Sequence, residues 1–183
     1  MLNRLFALFL LFIFSPIFLI VAIVILIEDG FPIFFTQRRV GISYSFFYIY
    51  KFRSMKKNTP NVATHLLNNP NQYLLKIGKF IRKTSLDELP NMINIIKGEM
   101  VFVGPRPALF NQDDLMDFRV ATGVDKLKPG ITGWAQINGR DEISIAEKVK
   151  LEQEYLSKKS FLFDLEILLK TFTNVLFSNG VSH

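Results

Sequence analysis

The chain has no cysteine, which excludes disulfides and thiolate chemistry. Its two histidines, His65 and His183, stand far apart without a helical ligand spacing, which argues against a zinc site. Internal repeats and low-complexity tracts are missing, so repeat architectures are excluded. There is no helix-turn-helix, RNA-recognition or zinc signature, and the net charge of +6 alone does not make a nucleic-acid binder. Charge itself is absent from residues 5–27, between Arg4 and Glu28-Asp29-Gly30.

What is present is strongly apolar. Of 183 residues, 49% are hydrophobic and 19 are phenylalanine, enough for one domain with a membrane-seeking part. As one straight helix, the uncharged run would extend ~35 Å, long enough to cross a hydrocarbon core. It is too long for a secretory signal and ends in Ile25-Leu26-Ile27 rather than small residues. Ser15-Pro16 sits at its midpoint. Proline removes one helix hydrogen bond and kinks the run, and the Ser15 hydroxyl can serve a carbonyl so freed. Two readings remain from the residues: a straight crossing, or a re-entrant hairpin whose ends share a side. Arg38, Arg39, Lys51, Arg53, Lys56 and Lys57 follow the run, so the positive-inside rule predicts that residues 29–183 face the cytoplasm.

Residues 32–40 and 46–55 read as a β-hairpin turning at Gly41-Ile42-Ser43, with Lys51 and Arg53 on one face by the two-residue period. Residues 56–72 are polar and turn-rich and predict a loop. Residues 73–82 predict a basic amphipathic helix, with Leu74, Ile77 and Ile81 on one side. Residues 161–177 form a last apolar segment, suited to core packing or to lying in a membrane surface.

The chemistry centres on Arg82-Lys83-Thr84-Ser85-Leu86-Asp87-Glu88-Leu89-Pro90. The spacing Ser85 to Glu88 predicts a capping box. The same geometry puts two carboxylates beside two cations, able to meet a divalent cation and a phosphate together. Gly104-Pro105-Arg106-Pro107 forms a rigid turn aiming Arg106. A second glycine-rich stretch, Lys128-Pro129-Gly130-Ile131-Thr132-Gly133-Trp134-Ala135-Gln136-Ile137-Asn138-Gly139-Arg140, carries Gln136 and Arg140. Arginines on rigid turns suit bidentate phosphate binding, although tight turns with exposed arginines would read alike.

In this order the segments closely resemble the bacterial sugar transferases, the monotopic phosphoglycosyl transferases. The resemblance also takes in Phe35-Thr36-Gln37-Arg38-Arg39-Val40-Gly41, Tyr50-Lys51-Phe52-Arg53-Ser54-Met55 and Lys97-Gly98-Glu99-Met100. The chain is similar to the minimal members, of the kind that start bacterial N-linked glycans. The resemblance implies an α/β fold: a mostly helical single domain with a small hairpin and membrane-surface amphipathic helices. It implies a re-entrant membrane helix over 1–28, broken at Ser15 and Pro16, and a catalytic domain over 29–183. It implies transfer of a sugar 1-phosphate from a UDP-sugar to polyprenol (undecaprenyl) phosphate at the cytoplasmic face of the bacterial inner membrane. Asp87 is then the nucleophile and Glu88 its helper, both near Mg2+. Arg82, Arg106, Arg140, Lys51, Arg53 and Gln136 are then the substrate and phosphate ligands. A UDP-sugar, polyprenol phosphate and the lipid bilayer are the implied partners, without nucleic acid. The similarity leans toward an N-acetyl sugar and leaves oligomeric state open. Ala7 departs from the family, where an acidic residue is common, and Asn91 stands where glutamine is usual.

Overall fold

The computed structural model describes residues 1–60, 69–139 and 143–176. The uncharged run forms two helices, α1 (Leu2–Ile13) and α2 (Ser15–Asp29), bent by 64° at Phe14. The break follows from the sequence. Pro16 lies in the first turn of α2, where its missing N–H costs nothing. Ser15 Oγ donates to the Phe12 carbonyl at 2.7 Å, serving an acceptor at the end of α1. Neither helix alone is long and apolar enough to cross a membrane, but the bent pair together has the length and composition.

Both arms dock on the rest of the molecule. Ala7 of α1 is buried against Phe47, Ile49, Met92, Ile95 and Met100. An acidic side chain at Ala7 would therefore enter a dry core, and alanine is the residue type this packing suits. Val21 and Ile25 of α2 pack with Phe52, Leu75 and Ile81. The opposite faces of both helices leave Leu5, Leu8, Phe9, Phe12, Leu19, Ile20 and Ile23 exposed.

The hairpin pairs β1 (Phe34–Val40) with β2 (Phe46–Phe52) in antiparallel register, from Phe34 opposite Phe52 to Val40 opposite Phe46. A 3-10 turn over Ile42–Tyr44 closes it, as the glycine-led turn predicts. The period of two sends Arg39, Phe47, Ile49 and Lys51 to one face, where Phe47 and Ile49 enter the core. The basic amphipathic helix starts later than expected, as α3 (Lys76–Lys83), after a 3-10 turn over Pro70–Tyr73. Glu28, at the end of α2, caps it: its Oε1 accepts from the Lys76 N–H at 2.5 Å. A β-carbon at Gly78 would fall 2.1 Å from the Ser54 carbonyl, so this contact requires glycine.

The short helix α4 (Asn91–Lys97) ends at Gly98 in the left-handed region, φ 85°. Then β3 (Val101–Val103) pairs in parallel with β4 (Gly130–Thr132), a second two-stranded sheet not anticipated from the sequence. Three-residue strands carry no readable period. Between them lies α5 (Asp113–Thr122), and after them α6 (Trp134–Asn138), α7 (Ile145–Lys158) and α8 (Phe161–Leu176). The last of these buries Ile167 against Val103, Leu127 and Tyr155 but leaves Phe161, Leu162, Leu169 and Phe172 exposed. The architecture is a single small, mostly helical α/β domain.

Candidate active site

Asp87 and Glu88 lie on a 3-10 turn, Leu86–Glu88, immediately before α4. The expected capping box is not formed. Ser85 takes a left-handed conformation, φ 56°, and its side chain makes no cap hydrogen bond. The Glu88 carboxylate is drawn instead to cations: Oε1 accepts from Lys51 Nζ at 2.6 Å and lies 3.7 Å from Arg106 Nη1. A charge-assisted tertiary contact is stronger than the local one it replaces. A capping box does form at Ser144 and Glu147, where α7 begins.

The Asp87 carboxyl is pushed up from 3.8 to about 6, chiefly by burial. Lys51, then Arg82 and Arg106, pull it back down, while the neighbouring Glu88 charge raises it. A carboxylate so placed is poorly solvated and poised within a ring of positive charge, as a nucleophile or proton acceptor would be. Arg82 reaches the site from the last turn of α3. Its Nε donates to Ser54 Oγ at 2.8 Å, and burial pushes its pKa below the usual guanidinium value against the opposing pull of Asp87.

Arg39, which sequence reasoning did not single out, completes the group. It lines the recess around Glu88 together with Lys51, Asn91 and Arg106. Its Nη1 donates to the Pro107 carbonyl at 3.0 Å and its Nη2 to Gln37 Oε1 at 2.6 Å, while its buried Nε has no partner. Burial, then the nearby Arg106 charge, pushes the guanidinium down to about 10. The signal was the strand period: Arg39 is opposite Phe47, on the face that also carries Lys51. That face could be recognised only with the hairpin register known.

Other expected ligands fall differently. Arg53 lies just past β2 and is not brought into this group. Buried, it donates to the Asp29 carboxylate and to the Pro32 carbonyl at 2.6 Å and the Gly30 carbonyl at 2.7 Å, tying the end of α2 to the hairpin. Gln136 sits on α6 with its Nε2 3.5 Å from the Gly104 carbonyl and its buried Oε1 unpartnered. Arg140 lies outside the described residues. Gly104, Gly130 and Gly133 bring two backbone stretches together: a β-carbon at Gly130 would fall 2.2 Å from the Gly104 N, and one at Gly133 would fall 2.2 Å from the Gly104 carbonyl.

Among the described residues no three acidic, histidine or cysteine side chains gather as a metal cage. Two adjacent carboxylates still suit magnesium, which takes one or two protein carboxylates and fills its octahedron with substrate phosphates and water. The formal charge of the group is four cations (Lys51, Arg39, Arg82, Arg106) against two carboxylates, an excess of two that matches a diphosphate.

Comparison with known proteins bears on the same region. The family model described as bacterial sugar transferase matches residues 1–178. The uncharacterized sugar transferase EpsL of Bacillus subtilis is 42% identical, over 98% of this chain and 90% of its own. The exopolysaccharide production protein ExoY of Sinorhizobium fredii is 37% identical, over 91% of this chain and 80% of its own. The UDP-glucose:undecaprenyl-phosphate glucose-1-phosphate transferase of Escherichia coli is 38% identical, over 86% of this chain but 35% of its own length. The acid pair on its turn, the arginines converging on it and a match along nearly the whole chain agree: this protein belongs to the bacterial sugar transferase family.

Proposed function

We propose that the chain transfers a sugar 1-phosphate from a UDP-sugar to undecaprenyl phosphate and releases UMP. The observation that carries this reading is the Asp87 carboxylate, half-buried beside Glu88 and surrounded by Lys51, Arg82 and Arg106. The name of the Escherichia coli relative supplies the two substrates.

In the proposed reaction an Asp87 oxygen attacks the phosphorus that bears the sugar. The bond from that phosphorus to the bridging oxygen breaks, and its electron pair leaves with UMP. The phosphosugar stays on the carboxylate as an acyl phosphate. An oxygen of the lipid phosphate then attacks the same phosphorus, freeing Asp87 and forming a lipid diphosphate sugar. An anion attacking an anion needs its repulsion offset, and the arginines and Lys51 supply fixed positive charge where the phosphoryl oxygens would lie. Burial raises the Asp87 pKa and so keeps the nucleophile weakly solvated. Asp87 and Glu88 are the residues that would hold magnesium, whose chemistry there is neutralisation of phosphoryl charge.

The lipid substrate asks for a membrane. The exposed apolar faces of α1, α2 and α8 and Phe80 of α3 provide the surface for one. The 64° bend and the docking of both arms on one domain support a re-entrant helix with both ends in the cytoplasm. The test is UMP release from a panel of UDP-sugars with undecaprenyl phosphate and magnesium, for wild type and Asp87→Asn. UMP from one donor, lost in the variant, is expected. UDP release would overturn the mechanism, and no release by folded protein in lipid would make the chain a non-catalytic scaffold.

A further inference from the structure

The turn that carries Arg106 is held by its carbonyls, one after another. The Pro105 carbonyl accepts from the Gly130 N–H at 2.9 Å, and the Ala108 carbonyl from the Val40 N–H at 3.0 Å. The Pro107 carbonyl accepts from Arg39. The Arg106 carbonyl accepts from Arg119 Nη2 at 2.9 Å. The first three donors belong to β1 and β4, but Arg119 comes from α5 and is itself gripped from α7. Its Nε donates to Glu152 Oε2 at 2.8 Å and its Nη2 to Glu152 Oε1 at 2.5 Å. Both side chains are buried, at 5% and 2% exposure.

A buried ion pair adds little stability over an apolar pair of the same volume. An apolar pair, however, has no donor for the Arg106 carbonyl. One proton of Nη2 serves Glu152 and the other serves that carbonyl, so the carboxylate sets the angle of the guanidinium plane and the plane sets the carbonyl. The Arg106 side chain is by contrast 43% exposed, free to meet a ligand while its backbone is fixed.

We infer that Arg119 and Glu152 are positioning residues that act through the Arg106 carbonyl, holding the Arg106 guanidinium where it meets the donor phosphates beside Glu88. This rests on the reading of Arg106 as a phosphate ligand. Displacements of about 1 Å in such a group cost about a hundredfold in rate.

The test is a kinetic cycle on UMP release in lipid nanodiscs. It compares wild type, Arg106→Ala, the apolar double variant Arg119→Met/Glu152→Leu, and all three substitutions together. The apolar double variant is expected to stay folded with at most a small fall in thermal midpoint, lose at least tenfold in kcat/KM, and cause no further loss once Arg106 is alanine. Arg119→Lys keeps the buried cation and its pairing with Glu152 but not the fork, and is expected to lose several-fold. This second variant decides the matter if the apolar pair impairs folding. Wild-type turnover in either folded variant, or losses that multiply with that of Arg106→Ala, would overturn the inference. Full activity of Arg106→Ala would instead remove the phosphate-ligand reading beneath it.

Discussion

Lys51 Nζ donates to Glu88 Oε1 across 2.6 Å, joining β2 to the turn that bears Asp87. Lys51 is also the strongest of the charges pulling the Asp87 carboxyl down. Lys51→Met should therefore let Asp87 rise further above 6. The acid limb of the kcat/KM profile for UMP release, expected near pH 6 in wild type, should move to higher pH. An unmoved limb would show that Asp87 is not the titrating nucleophile.

Asp87 should cost the fold stability. Its folded pKa lies above the unfolded value, so the folded state binds more protons between about pH 3.8 and 6. The contribution is fully present below 3.8 and is lost as pH rises through 6. At ~1.4 kcal/mol per pH unit, the loss approaches about 3 kcal/mol at neutral pH. Asp87→Asn should abolish turnover yet raise the thermal midpoint at pH 8. The gain should vanish near pH 4.

Arg53 is a fastener between α2 and the hairpin. Arg53→Met would leave the Gly30 and Pro32 carbonyls without their donor. It should destabilise by about 2–4 kcal/mol. Chemical denaturation should register this loss, while the KM for the UDP-sugar of the remaining folded protein stays near wild type.

Gly78→Ala would press a methyl against the Ser54 carbonyl at 2.1 Å, with backbone on both sides of the contact. The helix α3 has to shift, at a cost of about 1–3 kcal/mol. Because Arg82 rides on α3 and bonds Ser54, turnover should fall along with the melting temperature.

The re-entrant reading has its own measurement. In intact cells a Leu2→Cys variant, in a chain that has no other cysteine, should resist labelling by a membrane-impermeant maleimide from outside. Labelling from outside alone would make the run a crossing helix.

Much of this molecule was legible in the chain. An uncharged run with Ser15-Pro16 at its centre determines two apolar helices and their break, because proline and a back-bonding serine act locally. The two-residue period and Gly41 determine the hairpin, and Gly98 determines the end of α4. The acid pair and Arg106 could be named because their residue types and rigid neighbours are themselves the signal. Tertiary structure alone decided which charges meet. Glu88 could have closed a capping box with Ser85, and the positions of Lys51, 37 residues earlier, and of Arg106 draw it away. Lys51 and Arg53, two residues apart, diverge because one faces Glu88 and the other the end of α2. Arg39 and the buried grip of Arg119 on the Arg106 carbonyl depend on register and helix packing between segments distant in sequence. Local patterns specify elements, whereas a charge chooses its partner by proximity and burial, which exist only once the chain is folded.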